Sequence, residues 1–364
     1  MRFQPADRAP LYELGLWGQT VELYIQSGMP EEAATANFLE GCDFLGFDRR
    51  EFVPINVGPV PPFEEETLEE TERYVVFRDG QGMVHKALKD GTVRGTRLSM
   101  DQYIDFAVKG PDDFAAMKKR YDPASPERYP ENWDERVERW RTRDFPLCLL
   151  QNGTFGFYSM ARRWMGTEAL SFAWYDYPKM MHEMMEFFAD FFIETTRRAL
   201  DDLDLDYFNF FEDMAGKGGP LMSPALFRKF ILPHYKRVID FLTQHGVDVI
   251  QVDSDGDTRV LIPLFLEAGV TCHWPLEIAA GMEPLELRRE YGTSLALCGG
   301  IDKRELAKSK KEIDAELLKT VPPLLEAGGY VPAVDHTVPP DVPYENFMYY
   351  LELKRNIVEG RHGA

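Results

Sequence analysis

Acidic side chains collect just after the apolar runs in the second half of this 364-residue chain. Glu212 and Asp213 follow the run 205–211, Asp253-Ser254-Asp255-Gly256-Asp257 follows 247–252, and Glu277 follows 269–275. Gly300 and Asp302 then follow 294–299, and Asp335-His336 follows 329–334. Strand side chains alternate, so Asp253 and Asp255 can share a side, and Glu277 can converge on them from a neighbouring strand. Three carboxylates in one cavity repel one another unless a proton, a cation or a basic ligand intervenes. Three readings stay open for Asp213, Asp253, Asp255, Glu277 and His336. They can move protons and orient a ligand. Asp253, Asp255, Glu277 and His336 can ligate a hard divalent metal (Zn, Fe, Mn or Mg) through oxygen and imidazole. Or the aspartates simply make turn and N-cap bonds around Gly256. An EF-hand is excluded, because that loop needs a fixed Glu and flanking helices, whereas a strand precedes this one.

Substrate-binding candidates surround this set. Asn152 closes the run 146–152, and Arg162 beyond it, with Arg163 and Trp164, offers a cationic clamp and an aromatic wall, or else a solvated helix face. Glu212, Gly300 and Asp302 lie just past strand ends, and His273 shares the parity of Glu277, which predicts an inward ring. His182, His234 and His245 sit in helical stretches and read as packing or surface residues. The Gly pairs 299–300 and 328–329 read as tight turns in preference to a phosphate cradle. No Gly-x-Gly-x-x-Gly, Walker or Gly-x-Ser-x-Gly pattern occurs, so neither a nucleotide cofactor nor a serine nucleophile is expected.

The elements that must position these residues follow from periodicity. Strand-like runs at 146–152, 205–211, 247–253, 269–275, 294–299 and 329–334 alternate with helical stretches, the pattern of βα units on a parallel sheet. Two more strands near 42–47 and 52–57 complete eight, predicting an α/β fold: a (β/α)8 TIM barrel with an N-terminal helical and β-hairpin elaboration, a doubly wound sheet being the alternative. The elaboration spans 1–140, with helices at 16–27 and 31–38 and a β-meander at 72–93; the main part of the barrel spans 141–364. A Met and Phe stripe on the helix 178–203 reads as core or oligomer contact, which leaves a homodimer open.

Acidic residues outnumber basic ones by 61 to 41, giving a formal charge of −20 that repels phosphate backbones and anionic lipid. Nucleic acid and membranes are therefore not expected partners; a small molecule is. Four scattered cysteines without a Cys-x-x-Cys, and a start without an apolar run, predict a reduced, cytoplasmic protein.

Six segments follow one another in order: Phe211-Glu212-Asp213-Met214-Ala215, Gly219-Pro220-Leu221-Met222-Ser223-Pro224, Asp253-Ser254-Asp255-Gly256-Asp257, Pro275-Leu276-Glu277 with Ala280-Gly281-Met282, Gly299-Gly300-Ile301-Asp302, and Val334-Asp335-His336-Thr337-Val338-Pro339. Together they resemble the uroporphyrinogen decarboxylase superfamily, whose other large branch is the corrinoid or thiol methyltransferases. The resemblance implies a (β/α)8 barrel. The decarboxylase branch carries an Arg-Gln-Ala-Gly-Arg-Tyr segment for its polycarboxylate substrate, and this chain has none. The methyltransferase branch holds zinc with His-x-Cys, a Glu and a later Cys; by motif order these fall on Asp253, Asp255, Glu277 and His336. The thiolates are thus replaced by a harder set.

What the resemblance implies for function is methyl transfer from a small methylated substrate or a corrinoid- or folate-bound methyl group, with a corrinoid protein as partner. The alternatives are a cofactor-free decarboxylase, with His336 or a protonated acid as proton donor, and a non-catalytic corrinoid-binding protein.

Overall fold

The structure is a computed structural model that describes residues 1–4, 6–90, 92–94, 100–150 and 153–361. Among the described residues, seven short parallel strands follow one another around the site. They are β1 (Glu51–Phe52), β6 (Leu147–Cys148), β7 (Phe208–Phe211), β10 (Ile250–Asp253), β11 (Cys272–Trp274), β12 (Ala296–Cys298) and β13 (Tyr330–Val331). The order β7, β10, β11, β12, β13 is one continuous sheet, β1 pairs with β6, and a Cys148–Tyr207 bridge joins the two sets. With helices packed outside, this is the α/β barrel layout expected from the sequence.

The strand expected near 42–47 does not form. Cys42 and Phe47 face each other across a tight turn over Asp43–Leu45, closed by Gly46 at φ +66°, a left-handed conformation that glycine adopts without a Cβ clash. Between the chain before β1 and the chain after β13 runs the extended N-terminal segment instead. Asp48 N donates to Leu11 O at 2.8 Å, and Val338 N donates to Gly15 O at 3.0 Å. Buried Glu13 accepts the Val334 N–H at 2.9 Å, the Tyr350 hydroxyl at 2.5 Å, and a bond from the Lys354 ammonium.

The meander has four antiparallel strands in sequence order: β2 (Glu66–Glu70), β3 (Tyr74–Arg78), β4 (Val84–Leu88) and β5 (Gln102–Asp105). Its central turn forms at Asp79-Gly80 as expected, where the Asp79 carboxylate accepts the N–H groups of Gln81 and Met83 at 3.0 and 2.9 Å. A minimal hairpin, β8 (Ala215–Gly216) with β9 (Gly219–Pro220), follows β7. The N-terminal helices are Gly18–Gln26 and Glu31–Ala34, the second shorter than expected. On the helix Pro178–Asp202, Met181, Met184, Met185, Phe188, Phe191 and Phe192 are all buried within the chain, so the stripe is core. Among the described residues no helix is long and apolar enough to cross a membrane.

Candidate active site at the barrel mouth

Strand parity decides which side chains reach the barrel interior. On β7, Phe208 and Phe210 pack into the helix-side core, leaving Asn209 and Phe211 on the opposite face. Asn209 pairs in register with Gln251, and Phe211 with Asp253, so this polar layer continues onto β10. Cys272 and Trp274 follow on β11, clustered with Tyr12, Ala296, Cys298 and Val331 in the barrel centre.

Asp253 is 8% exposed at the strand end. Burial, then the nearby charge of Asp255 and that of Asp213, raise its pKa well above the ordinary carboxylate value, which favours its protonated form. The turn after it bends through Gly256 at φ +78°, where a Cβ would sit 2.7 Å from the backbone of Ala215 and Gly216. Gly256 N donates to Glu277 Oε2 at 3.1 Å. Asp255 Oδ2 lies 3.3 Å from His336 Nε2. Burial lowers the His336 pKa, but the bond and charge of Asp255 outweigh it, and the net shift is upward.

Adjacent Glu212 and Asp213 point to opposite ends of this arrangement. Both backbone N–H groups donate to Asp253 O, at 2.8 and 3.3 Å. Asp213 sits at φ +40°, unusual for a residue with a side chain, and Arg162 holds it there, donating to its carbonyl at 2.9 Å and its carboxylate at 2.5 Å. Glu212 is not a mouth residue. Its fully buried carboxylate accepts Phe157 N at 2.9 Å, Tyr158 N at 2.7 Å and the Tyr235 hydroxyl at 2.5 Å, capping the helix Phe157–Met165. Burial pushes its pKa up to about 7 despite those donors. At the same junction Gly156 is obligatory, since a Cβ there would fall 1.9 Å from Phe211 O.

Other expected site residues take structural posts. His273 does not face inward: its Nε2 is 2.7 Å from Thr258 Oγ1, its ring lies near Phe265, and burial lowers its pKa to about 4. Asp302 caps the helix Lys303–Leu306 and pairs with Arg304 at 2.6 Å. Gly300, at φ +82°, leaves room for Pro284, 2.9 Å from where a Cβ would stand. Asn152 lies outside the described residues. The four proposed metal ligands do not gather into a cage, because Glu277 is engaged by Gly256 and Asp255 by His336. Among the described residues no group of three or more His, Cys, Asp or Glu side chains is close enough to hold a metal.

Residues not singled out in the sequence also shape the mouth. Asn209 is 3% exposed, and neither polar atom of its side chain has a geometrically sound hydrogen bond among the described residues, although it lies close enough to Asp253 to favour that carboxylate's charged form. An Asn between two core phenylalanines was the available signal. Lys303 pairs with buried Asp335 at 3.1 Å, which fixes the strand end preceding His336.

A parallel barrel with its polar residues just past the strand ends is the architecture of a barrel enzyme. Residues 143–357 match the family model "Uroporphyrinogen decarboxylase (URO-D)", and the chain belongs to that family. Among curated relatives, the chloroplastic uroporphyrinogen decarboxylase of Zea mays is 27% identical over 141 residues, 37% of this chain and 34% of that one. The uroporphyrinogen decarboxylase of Nocardia farcinica is 29% identical over 172 residues, 45% of each chain. The chain thus spans between a third and a half of the length of these relatives. A solved methyltransferase from Methanosarcina mazei shares the fold, with a TM-score of 0.61 at 17% identity, covering 97% of this chain and 95% of that one.

Proposed function

We propose that the chain is a methyltransferase that removes a methyl group from an oxygen or nitrogen of a small molecule and passes it to a corrinoid or folate carrier. The observation that carries this reading is the mouth itself, where buried Asp253, its pKa raised by burial, stands beside the 3.3 Å Asp255–His336 pair. When the acceptor's electron pair forms its bond to the methyl carbon, the pair of the breaking bond stays on the heteroatom, which must gain a proton. His336, whose protonated form Asp255 favours, is the donor, and Asp253 orients the leaving atom; such an acid contributes on the order of 10²–10⁴-fold. The Arg162–Asp213 pair fixes the rim. The expected metal ligands are engaged with one another and with backbone.

Decarboxylation has its own support, since the curated relatives are named decarboxylases and the same acids can protonate the carbon left when carbon dioxide departs. It ranks second because the chain has no Arg-Gln-Ala-Gly-Arg-Tyr segment to receive the many carboxylates of a tetrapyrrole. Anaerobic incubation with cob(I)alamin and either methoxylated aromatics or methylamines, in parallel with uroporphyrinogen, separates the two. Methylated cobalamin and unchanged uroporphyrinogen are expected. Turnover of uroporphyrinogen at the rate of a true decarboxylase overturns the proposal.

A further inference from the structure

A cavity of about 380 Å³ opens beside the mouth, between the chain following β1 and the helix Phe157–Met165. Val57, Tyr121 and Met160 form its apolar and aromatic walls, and Gln81 and Met83 from the meander's central turn close its outer side. Among the described residues one charged side chain lines it, Arg163. Its sequence neighbour Arg162 is neutralised by Asp213, but Arg163 is not: among the described residues no carboxylate lies within ion-pair distance of it. It donates instead to two backbone carbonyls, Thr154 O at 3.2 Å and Gly153 O at 2.6 Å. A guanidinium carries five N–H donors, so some remain for a ligand. Burial pushes its pKa down, the mark of a cation whose lost hydration is not fully replaced.

This cavity and the acidic mouth are neighbours. The Arg163 guanidinium lies 5.5 Å from the centre of the Phe211 ring, and Phe211 is the register partner of Asp253. A ligand lying across Phe211 therefore meets a positive group on one side and protonated or negative acids on the other. In a chain of net charge −20, an unpaired arginine in a concave site selects for an anion that the surrounding surface would otherwise repel.

We propose that the cavity is a subsite for an anionic oxygen group, a carboxylate or a phosphate, on a ligand whose reacting end lies at Asp253, Asp255 and His336. Arg163 binds the anion, Phe211 supports the body of the ligand, and the meander turn at Gln81 and Met83 covers it. The inference rests on the preceding functional reading only for where the reacting end lies, and its test reads no methyl transfer, so either can fail without the other.

The test is calorimetric titration of the full chain with 4-methoxybenzoate, 4-methoxyphenyl phosphate and the uncharged 4-methoxybenzyl alcohol. At least one anion should bind about tenfold or more tightly than the alcohol, and the tighter of the two names the group. In Arg163→Met that preference should fall below about threefold. Because Arg163 also ties down two carbonyls, Met83→Trp serves as a second variant that fills the cavity from the meander side and leaves those bonds alone. It should weaken the anion as well. Equal affinity for anions and alcohol, no binding of any probe up to about 10 mM, or a preference that survives in both variants overturns the proposal.

Discussion

His336 Nε2 and Asp255 Oδ2 stand 3.3 Å apart, each about a third exposed, linking the loop after β10 to the chain after β13 across the barrel mouth. The pair favours the protonated imidazole, and its behaviour can be tested directly.

Because the His336 pKa is raised in the folded chain, the pair's contribution to stability is fully present below the unfolded histidine pKa of about 6.5 and is lost as pH rises through the folded value. Asp255→Asn should bring the His336 titration, followed by NMR, to lower pH. An unchanged titration would show that Asp255 is not what holds the proton.

Burial raises the Asp253 pKa, so its ionisation opposes folding at pH above its unfolded value of about 3.9. Asp253→Asn keeps the shape without the titrating proton. It should raise stability at pH 8 by about 1–3 kcal/mol in urea unfolding and lower activity by roughly 10²-fold or more. A variant that loses stability at pH 8 contradicts this account.

Glu212 titrates near 7, so above its unfolded value of about 4.3 the wild type loses stability as pH rises, most of it by pH 7. Glu212→Gln should flatten that dependence between pH 5 and 8. Glu212→Ala strands two helix N–H groups and the Tyr235 hydroxyl and should cost about 2–4 kcal/mol by chemical denaturation.

Gly156→Ala drives a methyl group against Phe211 O, where the ideal position lies only 1.9 Å away. Unfolding should become easier by about 3 kcal/mol or more. Since Phe211 precedes Glu212 and Asp213, any folded fraction should show altered mouth chemistry as well.

Much of the barrel could be read from the sequence because its buried strands are short apolar runs bounded by turn signals. Ile250–Asp253 and Ala296–Cys298 lie inside the expected ranges. The run 42–47 looked equally apolar, but Gly46 turns it back on itself, and a short run does not reveal which outcome prevails. His273 was misplaced by counting parity from Glu277. The strand ends at Trp274, so alternation does not carry across that gap, and Cys272 and Trp274 take the inward face. Glu212 and Asp213 were grouped as neighbours at one rim, although the backbone turns at Asp213, φ +40°, and the two side chains part. The role of Glu212 depends on a helix start 55 residues away, a tertiary contact that no local pattern encodes. Arg163 was legible in the sequence as part of a candidate cationic clamp, but only the fold shows that Asp213 neutralises Arg162 and that, among the described residues, no carboxylate pairs with Arg163.

The backbone carbonyl of Asp253, and not its side chain, receives the N–H groups of both Glu212 and Asp213. The mouth therefore works like a socket whose frame is main chain and whose tips are replaceable. Exchanging the acid at 253 alters what the pocket can do without disturbing the hydrogen bonds that set the neighbouring strand end. Such a frame can change its chemistry one side chain at a time, and Asp253→His with Asp255→Cys would test how far a soft-metal site can be written into it.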